Sequence, residues 1–568
     1  MHAKALAKKE VLTSLKKAIG KKFPITVDMI GSVPTPELGD FSFPCFVLAK
    51  GMGRKPVEIA TELAAKIGPS SMIRKIVATG PYVNFFVEPV AYGNAVLSDI
   101  LKGKKRYGRG STGKGKRVLV EFANLNTHKE VHVGHLRNLS LGQAIANIFT
   151  ANGYESIPIA YINDLGNNVA RCLWALKKFH EHEEPAPQDR LNFLGKIYTE
   201  AAREIGDDET KKAEVSAIQR ELEEGKGEWT ALWKKTLKWS LDGLQAVYDE
   251  YGLVLDTIYL EHELIGESHA IVNKLLTDGI ARMSEGATIV DLEAQGLGMN
   301  LLRKTDGTLL YNAKDLALAL HKESDYRADR SLIVLDIRQA LAMKQLSATL
   351  KLMNFPREVI HLGYDMVTLP EGAMSSRKGN IIRYNDLRDA MLTGLMDSTK
   401  LRHSEWKEKK IRANAMTLVL AAMKFMMLRQ DPGKVLVFDM EEAMSMVGFS
   451  GPYILYTIAR IRSLKGKTSL VSRPDAGLLL HPLEAALLRL LAQMPEVILQ
   501  SGAEVRPSVL AQYVFDVAQL FSQYYAEVRI LDGADEATVC ARLALVTSVE
   551  QVLCNIMEIL NITVVKEM

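Results

Sequence analysis

The chain has 568 residues, of which 47% are apolar and 24% charged, an ordinary globular composition that corresponds to about three or four domains. Wholesale disorder is excluded, and no stretch approaches the roughly 20 uninterrupted apolar residues of a membrane span; even Gly477 to Leu491 is broken by His481, Pro482, Glu484 and Arg489. The net charge of +4 conceals an asymmetry: residues 1–120 carry 21 Lys and Arg against 8 Asp and Glu, net +13, leaving 50 against 59, net −9, in the remainder.

In chain order, the lysine-rich start (Met1 to Lys22) has helical periodicity from Ala5 to Ile19 and no signal-peptide core. A second helix is expected from Pro56 to Ile67, with strands at Ile76 to Ala78 and Tyr82 to Val87 and turns at Gly39 and Gly80. Lys102 to Arg117 then packs eight positive charges into a Gly-rich run, which reads equally as a solvated flexible linker or as a patch for a polyanion such as nucleic acid. The apolar run Arg117 to Phe122 suits a buried parallel strand. A loop, a helix near Gly134 to Asn152 and a strand at Ser156 to Tyr161 follow, the opening unit of a doubly wound nucleotide-binding sheet. A charged helical insertion is expected from Ala170 to about Tyr251. Strand signals return at Thr288 to Leu292, Leu309 to Tyr311, Leu332 to Asp336 and Val359 to Leu362. From Ile411 onward the pattern is amphipathic helix, notably Leu483 to Leu499, Val509 to Val528 and Ala537 to Leu560. Cys45, Cys172, Cys540 and Cys554 form no CxxC pair and none sits beside a histidine at zinc spacing, which argues for a reducing cytoplasm and no structural zinc.

The sharpest string is His132-Val-Gly134-His135, placed after a strand and at a helix N-terminus. Such an end offers N–H donors and a positive dipole to phosphates, two imidazoles add donors for developing charge, and glycine permits close approach. Two surface or metal-binding histidines are the alternative reading of that string in isolation.

The stretch Val120 to Asn138 (VEFANLNTHKEVHVGHLRN) resembles the first signature of class I aminoacyl-tRNA synthetases, and among them of arginyl-tRNA synthetases. Met374-Ser375-Ser-Arg377-Lys378-Gly-Asn resembles the second, lysine-bearing signature in its arginyl style. Together they imply attack on the α-phosphate of ATP, release of pyrophosphate with Mg²⁺, and transfer of the aminoacyl group to the terminal adenosine of tRNA, by positioning and charge stabilisation. The resemblance implies that His132, Gly134 and His135 contact ATP with Met374, Ser375 and Lys378, and that Lys378 and Arg377 stabilise the departing pyrophosphate. The lysine that usually precedes Met-Ser is here Ala373, so the loop's role falls to Lys378, Arg377 or another lysine such as Lys129.

A bound guanidinium requires carboxylates and planar acceptors. The resemblance assigns arginine to Glu121, Asn126, Tyr311, Asp315 and Gln339; Tyr311 and Asp315 stand at i, i+4 and share a helical face. Ala342 and Met343 replace the usual His and Phe after the glutamine, and Asn168 replaces the usual Gln of Asp-x-Gly-x-Gln. Gly39 to Lys50 and Gly80 to Phe86 resemble the additional N-terminal domain used against the outer corner of tRNA. Gly451 to Arg460, Pro495 to Ile498 and a closing Met568 resemble the helical anticodon-binding domain, where Tyr453, Tyr456, Tyr525 and Met568 are the candidate tRNA contacts. The insertion is too small for the hydrolytic editing domain that aliphatic amino acids require.

The expected architecture is multidomain α/β: a tRNA-binding N-terminal domain over 1–105, a basic linker over 106–117, a Rossmann-type doubly wound parallel-sheet catalytic domain over 118–405 with a helical insertion at about 170–255, and an all-α anticodon-binding bundle over 406–568. The resemblance implies an ATP-dependent, AMP- and pyrophosphate-forming ligase that joins L-arginine to tRNA(Arg), depends on tRNA for activation, and is cytoplasmic, monomeric and without a membrane partner. A class I synthetase for another amino acid, a non-catalytic tRNA-binding paralogue and a small-molecule nucleotidyltransferase with an HxGH helix are the alternatives. The missing zinc ligands disfavour the cysteinyl enzyme, and the last alternative leaves the terminal domains unexplained.

Overall fold

The computed structural model describes the chain apart from residues 1, 21–22, 371 and 374–381. Its centre is a five-stranded sheet, all parallel, whose strands run in chain order Arg117–Glu121, Glu155–Ile162, Thr257–Leu260, Arg330–Asp336 and Glu358–Tyr364. In space the first strand lies between the second and the fourth, giving the order 3-2-1-4-5. This is the doubly wound arrangement, and its crevice opens where the order reverses, at the C-terminal ends of the first and fourth strands. The helix Val133–Ala151 crosses over the sheet and is buried along almost its whole length. Gly142 allows that approach, because a Cβ there would stand 2.0 Å from Phe122 Cγ.

Two segments interrupt the sheet. Between the second and third strands lie four helices, Asn167–Phe179, Arg190–Ile205, Glu209–Glu224 and Glu228–Tyr251, around a core of their own that includes Leu173, Leu194, Ile197, Val215 and Trp233. Between the third and fourth come the helix Ile265–Thr277, an antiparallel sheet (Ala281–Ser284, Ala287–Asp291, Met299–Arg303) and the helix Tyr311–Tyr326. The strand expected at Thr288 to Leu292 therefore belongs to this small sheet. The one expected at Leu309 to Tyr311 is absent: Leu309 makes a single bridge to Arg303 and Tyr311 begins a helix. A three-residue apolar run is too short for periodicity to separate strand from helix start.

At the N-terminal end the antiparallel sheet Phe41–Pro44, Tyr82–Val87, Ile73–Thr79 is covered by Ala3–Ile19 and Pro56–Lys66. The helix Pro89–Gly103 carries the chain onto the C-terminal bundle, where Gly93 abuts Ala476 and Leu488. The basic segment that follows is pinned rather than loose. Tyr107 is buried and its hydroxyl donates to Leu491 O (3.0 Å), Asn555 Nδ2 donates to Lys104 O (2.9 Å), and the N–H groups of Gly110 and Gly113 donate to Ala151 O and Asn152 O. Apart from Arg109, which pairs with Glu558, its basic side chains remain exposed.

The C-terminal bundle is built from Glu408–Leu428, Gly451–Gly466, Pro482–Leu491, Met494–Glu504, Pro507–Glu527 and Glu536–Ile559. The single helix expected over Leu483 to Leu499 breaks at Ala492 and Gln493, where Pro495 starts a new helix because it lacks the N–H that an interior position needs. Glu408–Leu428 and Glu536–Ile559 are long and apolar enough to cross a membrane by length and composition, but most of each is buried inside the protein.

Candidate active site

The loop from Glu121 to His132 is held in a conformation its sequence would not choose. Ala123 and His128 are left-handed, with φ of 58° and 59°, a costly state for residues with a Cβ unless neighbours over-determine it. Here they do. Ala123 N donates to Asn138 Oδ1 (2.7 Å), Asn138 Nδ2 donates to Val334 O (2.7 Å), and Tyr248 donates to Ala123 O. His128 N donates to Ser240 Oγ, and its buried ring bonds Thr127 and Thr236; burial depresses this imidazole to about 3, so it is a structural neutral histidine.

His132 caps the helix Val133–Ala151. Its backbone N–H donates to His135 Nδ1 (3.2 Å), which places the proton of neutral His135 on Nε2. The two rings stack at 3.7 Å between centroids. Burial, with Lys129 adding positive charge, lowers His132 to about 4, and burial and His132 hold His135 well below its ordinary value, so both are neutral donors at pH 7. His132 Nδ1 is buried and has no partner among the described residues.

The N-terminus of this helix is less open than the sequence suggested, because Val133 N–H is taken by Ile382 O (3.0 Å) and Tyr384 N–H donates to Val131 O. That contact ties the far end of the second signature to the first, with Arg383 also pairing to Glu130 (2.7 Å). The near end is fixed as well: Gly372–Ala373 pairs with Val367–Leu369, which pairs in turn with Leu436–Val437. Met374, Ser375, Arg377 and Lys378 lie outside the described residues. Lys129 sits over the Tyr198 ring of the helical insertion, 4.7 Å from its centroid.

Glu121, Asn126, Tyr311, Asp315 and Gln339 all line one cavity of about 300 Å³ at the crevice of the parallel sheet, as do the departures Asn168 and Met343. Sequence reasoning missed Asn124, Tyr161, Asn163 and Lys322 in the same wall. One signal was available, since Tyr311, Asp315, Leu318 and Lys322 are spaced 4, 3 and 4 apart and form one helical face. The charges are arranged unequally. Glu121 accepts from Lys322 Nζ (2.5 Å) and Asn124 Nδ2 (2.8 Å), so both its oxygens are engaged. Behind the wall Glu261 accepts from Lys314 and from Asn163 Nδ2. Asp315 has no ion pair or hydrogen bond among the described residues. Enclosure, with Glu121 adding like charge and Lys322 opposing, pushes its carboxyl up to about 7. The cavity thus offers a cation one uncompensated carboxylate. Among the described residues no three His, Cys, Asp or Glu side chains cluster as a metal site; an ion such as Mg²⁺ would have nucleotide phosphates and water as its ligands.

In the bundle, Tyr453 is half-buried and donates to Ser522 Oγ (3.0 Å), so its hydroxyl is spent on packing helices together. Tyr456 and Tyr525 share Arg460, whose guanidinium lies 4.6 and 5.0 Å from the two ring centroids. Met568 is half-buried against the core. The helix Val133–Ala151 is itself wired to this bundle: buried Arg137 donates to the carbonyls of Met427, Asp431, Pro432 and Lys434, and the Asp431 side chain accepts from Arg506 and Ser508.

Three family models match: the catalytic domain of class I tRNA synthetases (R) over residues 96–439, the DALR anticodon binding domain over 454–568, and the arginyl-tRNA synthetase N-terminal domain over 6–87. An arginine–tRNA ligase of Bdellovibrio bacteriovorus is 35% identical, with 98% of each chain covered. One of Clostridium botulinum is 31% identical over 96% of this chain and 97% of its own. Among solved structures, the Thermus thermophilus arginyl-tRNA synthetase superposes over the whole of both chains with a TM-score of 0.82 at 26% identity. With this geometry, these three domains and relatives matched from end to end, the chain belongs to the arginyl-tRNA synthetase family of class I.

Proposed function

We propose that the chain is an ATP-dependent arginine–tRNA ligase and that its named side chains divide the reaction as follows. The arginine carboxylate attacks the α-phosphorus of ATP, the bond to the β-phosphate oxygen breaks, and pyrophosphate leaves; a hydroxyl of the 3′-terminal adenosine of tRNA(Arg) then attacks the carbonyl carbon and AMP departs. Asp315 pairs with the guanidinium. Glu121, locked by Lys322 and Asn124, positions Asn126 and the loop above it, and Tyr311 and Gln339 close the mouth of the cavity. His132 and His135, kept neutral by burial, donate N–H groups to phosphate oxygens without a change of charge. Lys378, with Arg377, stabilises the leaving pyrophosphate, while Met374 and Ser375 hold ATP; a Mg²⁺ bound with the nucleotide would supply charge shielding of its phosphates. The exposed basic strap and N-terminal domain meet tRNA phosphates. Tyr456 and Tyr525 offer faces for splayed anticodon bases, with Tyr453 and Met568 shaping that surface from within. A monomer working in the cytoplasm, with activation dependent on tRNA, completes the reading.

The observation that carries this reading is the single cavity joining five arginine-binding candidates, with Asp315 its one unpaired carboxylate among the described residues. The test is ATP–pyrophosphate exchange with each amino acid in turn, with and without unfractionated tRNA, on wild type and Lys378→Ala. Exchange with arginine alone, dependent on tRNA and reduced at least about tenfold in the variant (about 1.4 kcal/mol of barrier), is expected. Silence with every amino acid while tRNA still binds would replace it with a non-catalytic tRNA-binding protein, the loss traced to the Ala373 departure.

A further inference from the structure

Tyr161 stands on the strand Glu155–Ile162 and lines the same cavity as Asp315. Its ring is fixed in an apolar cluster with Ile159, Tyr259, Leu264 and Ala317, and its backbone N–H is satisfied by Asn124 Oδ1 (3.1 Å). Its hydroxyl is different. Of the side-chain polar atoms in the cavity wall, the Tyr161 oxygen is the one that is fully buried without a hydrogen-bond partner among the described residues. Native interiors leave few such atoms unpaired, and those they do leave call for an explanation.

The neighbours cannot supply one. Asn124, Asn163, Glu121 and Glu261 are committed to each other and to the two buried lysines. Burial keeps the phenol protonated, and the negative charges of Glu261, Asp315, Glu121 and Asp164 act in the same direction. A protonated phenol beside one free carboxylate has an oxygen lone pair to offer. A guanidinium is the matching ligand, because it has five N–H donors in a plane and no acceptor: two can pair with Asp315 and another still needs an acceptor.

We infer that the Tyr161 hydroxyl is a substrate contact that accepts a hydrogen bond from the guanidinium of bound arginine and sets arginine affinity together with Asp315. This rests on the arginine ligase reading above. In the empty enzyme the hydroxyl oxygen has no partner among the described residues, and it gains one when the substrate enters.

That difference separates a ligand contact from a structural hydroxyl. Tyr161→Phe keeps the ring and deletes only the oxygen, and the experiment compares it with wild type in two assays. In tRNA-supported ATP–pyrophosphate exchange, the KM for arginine rises about tenfold, while the KM for ATP and the kcat stay within about twofold. In thermal melting the unliganded variant melts at or above wild type, since a buried unpaired oxygen has been removed, and the upward shift produced by saturating arginine shrinks. An arginine KM unchanged in Tyr161→Phe, where the wild type does use arginine, overturns the inference alone. So does a variant that melts well below wild type or fails to fold, because the oxygen would then hold the native structure. A wild type that neither melts higher with arginine nor exchanges with it overturns the arginine reading, and this inference with it.

Discussion

The pH dependence of arginine binding follows from the electrostatics of the cavity. Asp315 is pushed up to about 7 in the empty site, so at pH 6 only about 9% of molecules carry the carboxylate proposed to pair with the guanidinium, against about 91% at pH 8. If the ionised form alone binds, the Kd for arginine rises about tenfold from pH 8 to pH 6, which is about 1.4 kcal/mol. Binding must also eject the proton, so isothermal calorimetry in two buffers of different ionisation enthalpy should record about 0.9 proton released per arginine at pH 6 and about 0.1 at pH 8. The stability linkage has the corresponding sign. A carboxyl whose folded value lies above its unfolded 3.8 stabilises the fold at low pH and loses that contribution as pH rises through about 7. Arginine restores it, so the melting shift from saturating arginine should be larger at pH 8 than at pH 6. The histidines of the signature do not mimic this profile, because His132 stays neutral down to about pH 4 and His135 lies well below its ordinary value. A flat Kd across this range with no proton release at pH 6 would refute the assignment of Asp315 as the guanidinium's carboxylate.

Two further outcomes concern the frame. Arg137→Met removes the donors that hold the carbonyls of Met427, Asp431, Pro432 and Lys434; three of these share one Nη2, so counting two independent bonds to a buried charge at about 1.5–3 kcal/mol each, urea unfolding should show a loss of at least about 3 kcal/mol, and a loss below about 0.5 kcal/mol would contradict it. Gly142→Ala places a methyl 2.0 Å from Phe122, and a melting-temperature drop corresponding to about 1–3 kcal/mol of overpacking is expected, with no drop showing that helix and sheet can part at no cost.

The parts of this protein that depend on local order are legible in the chain alone. A short apolar strand, a loop and a histidine-bearing helix start make a βαβ opening whatever follows them, and Tyr311 with Asp315 must share a face of any helix that contains both. The net +13 of the first 120 residues was equally visible. Which groups neutralise each other emerges only from the folded arrangement. Nothing in the spacing of Glu121 and Lys322, or of Glu261 and Lys314, says that they pair, because those contacts join a strand or a loop to a helix distant in the chain. Without them Glu121 and Asp315 look alike as carboxylates; with them Asp315 is left unpaired among the described residues, and Tyr161, absent from the sequence candidates, emerges as a hydroxyl without a partner there. The basic strap shows the same limit. Its composition reads equally as a loose linker or a polyanion patch, yet Tyr107 is fixed by a partner in the bundle and Gly110 and Gly113 by the end of the helix Val133–Ala151, since a buried ring and main-chain hydrogen bonds to distant segments leave no trace in local charge.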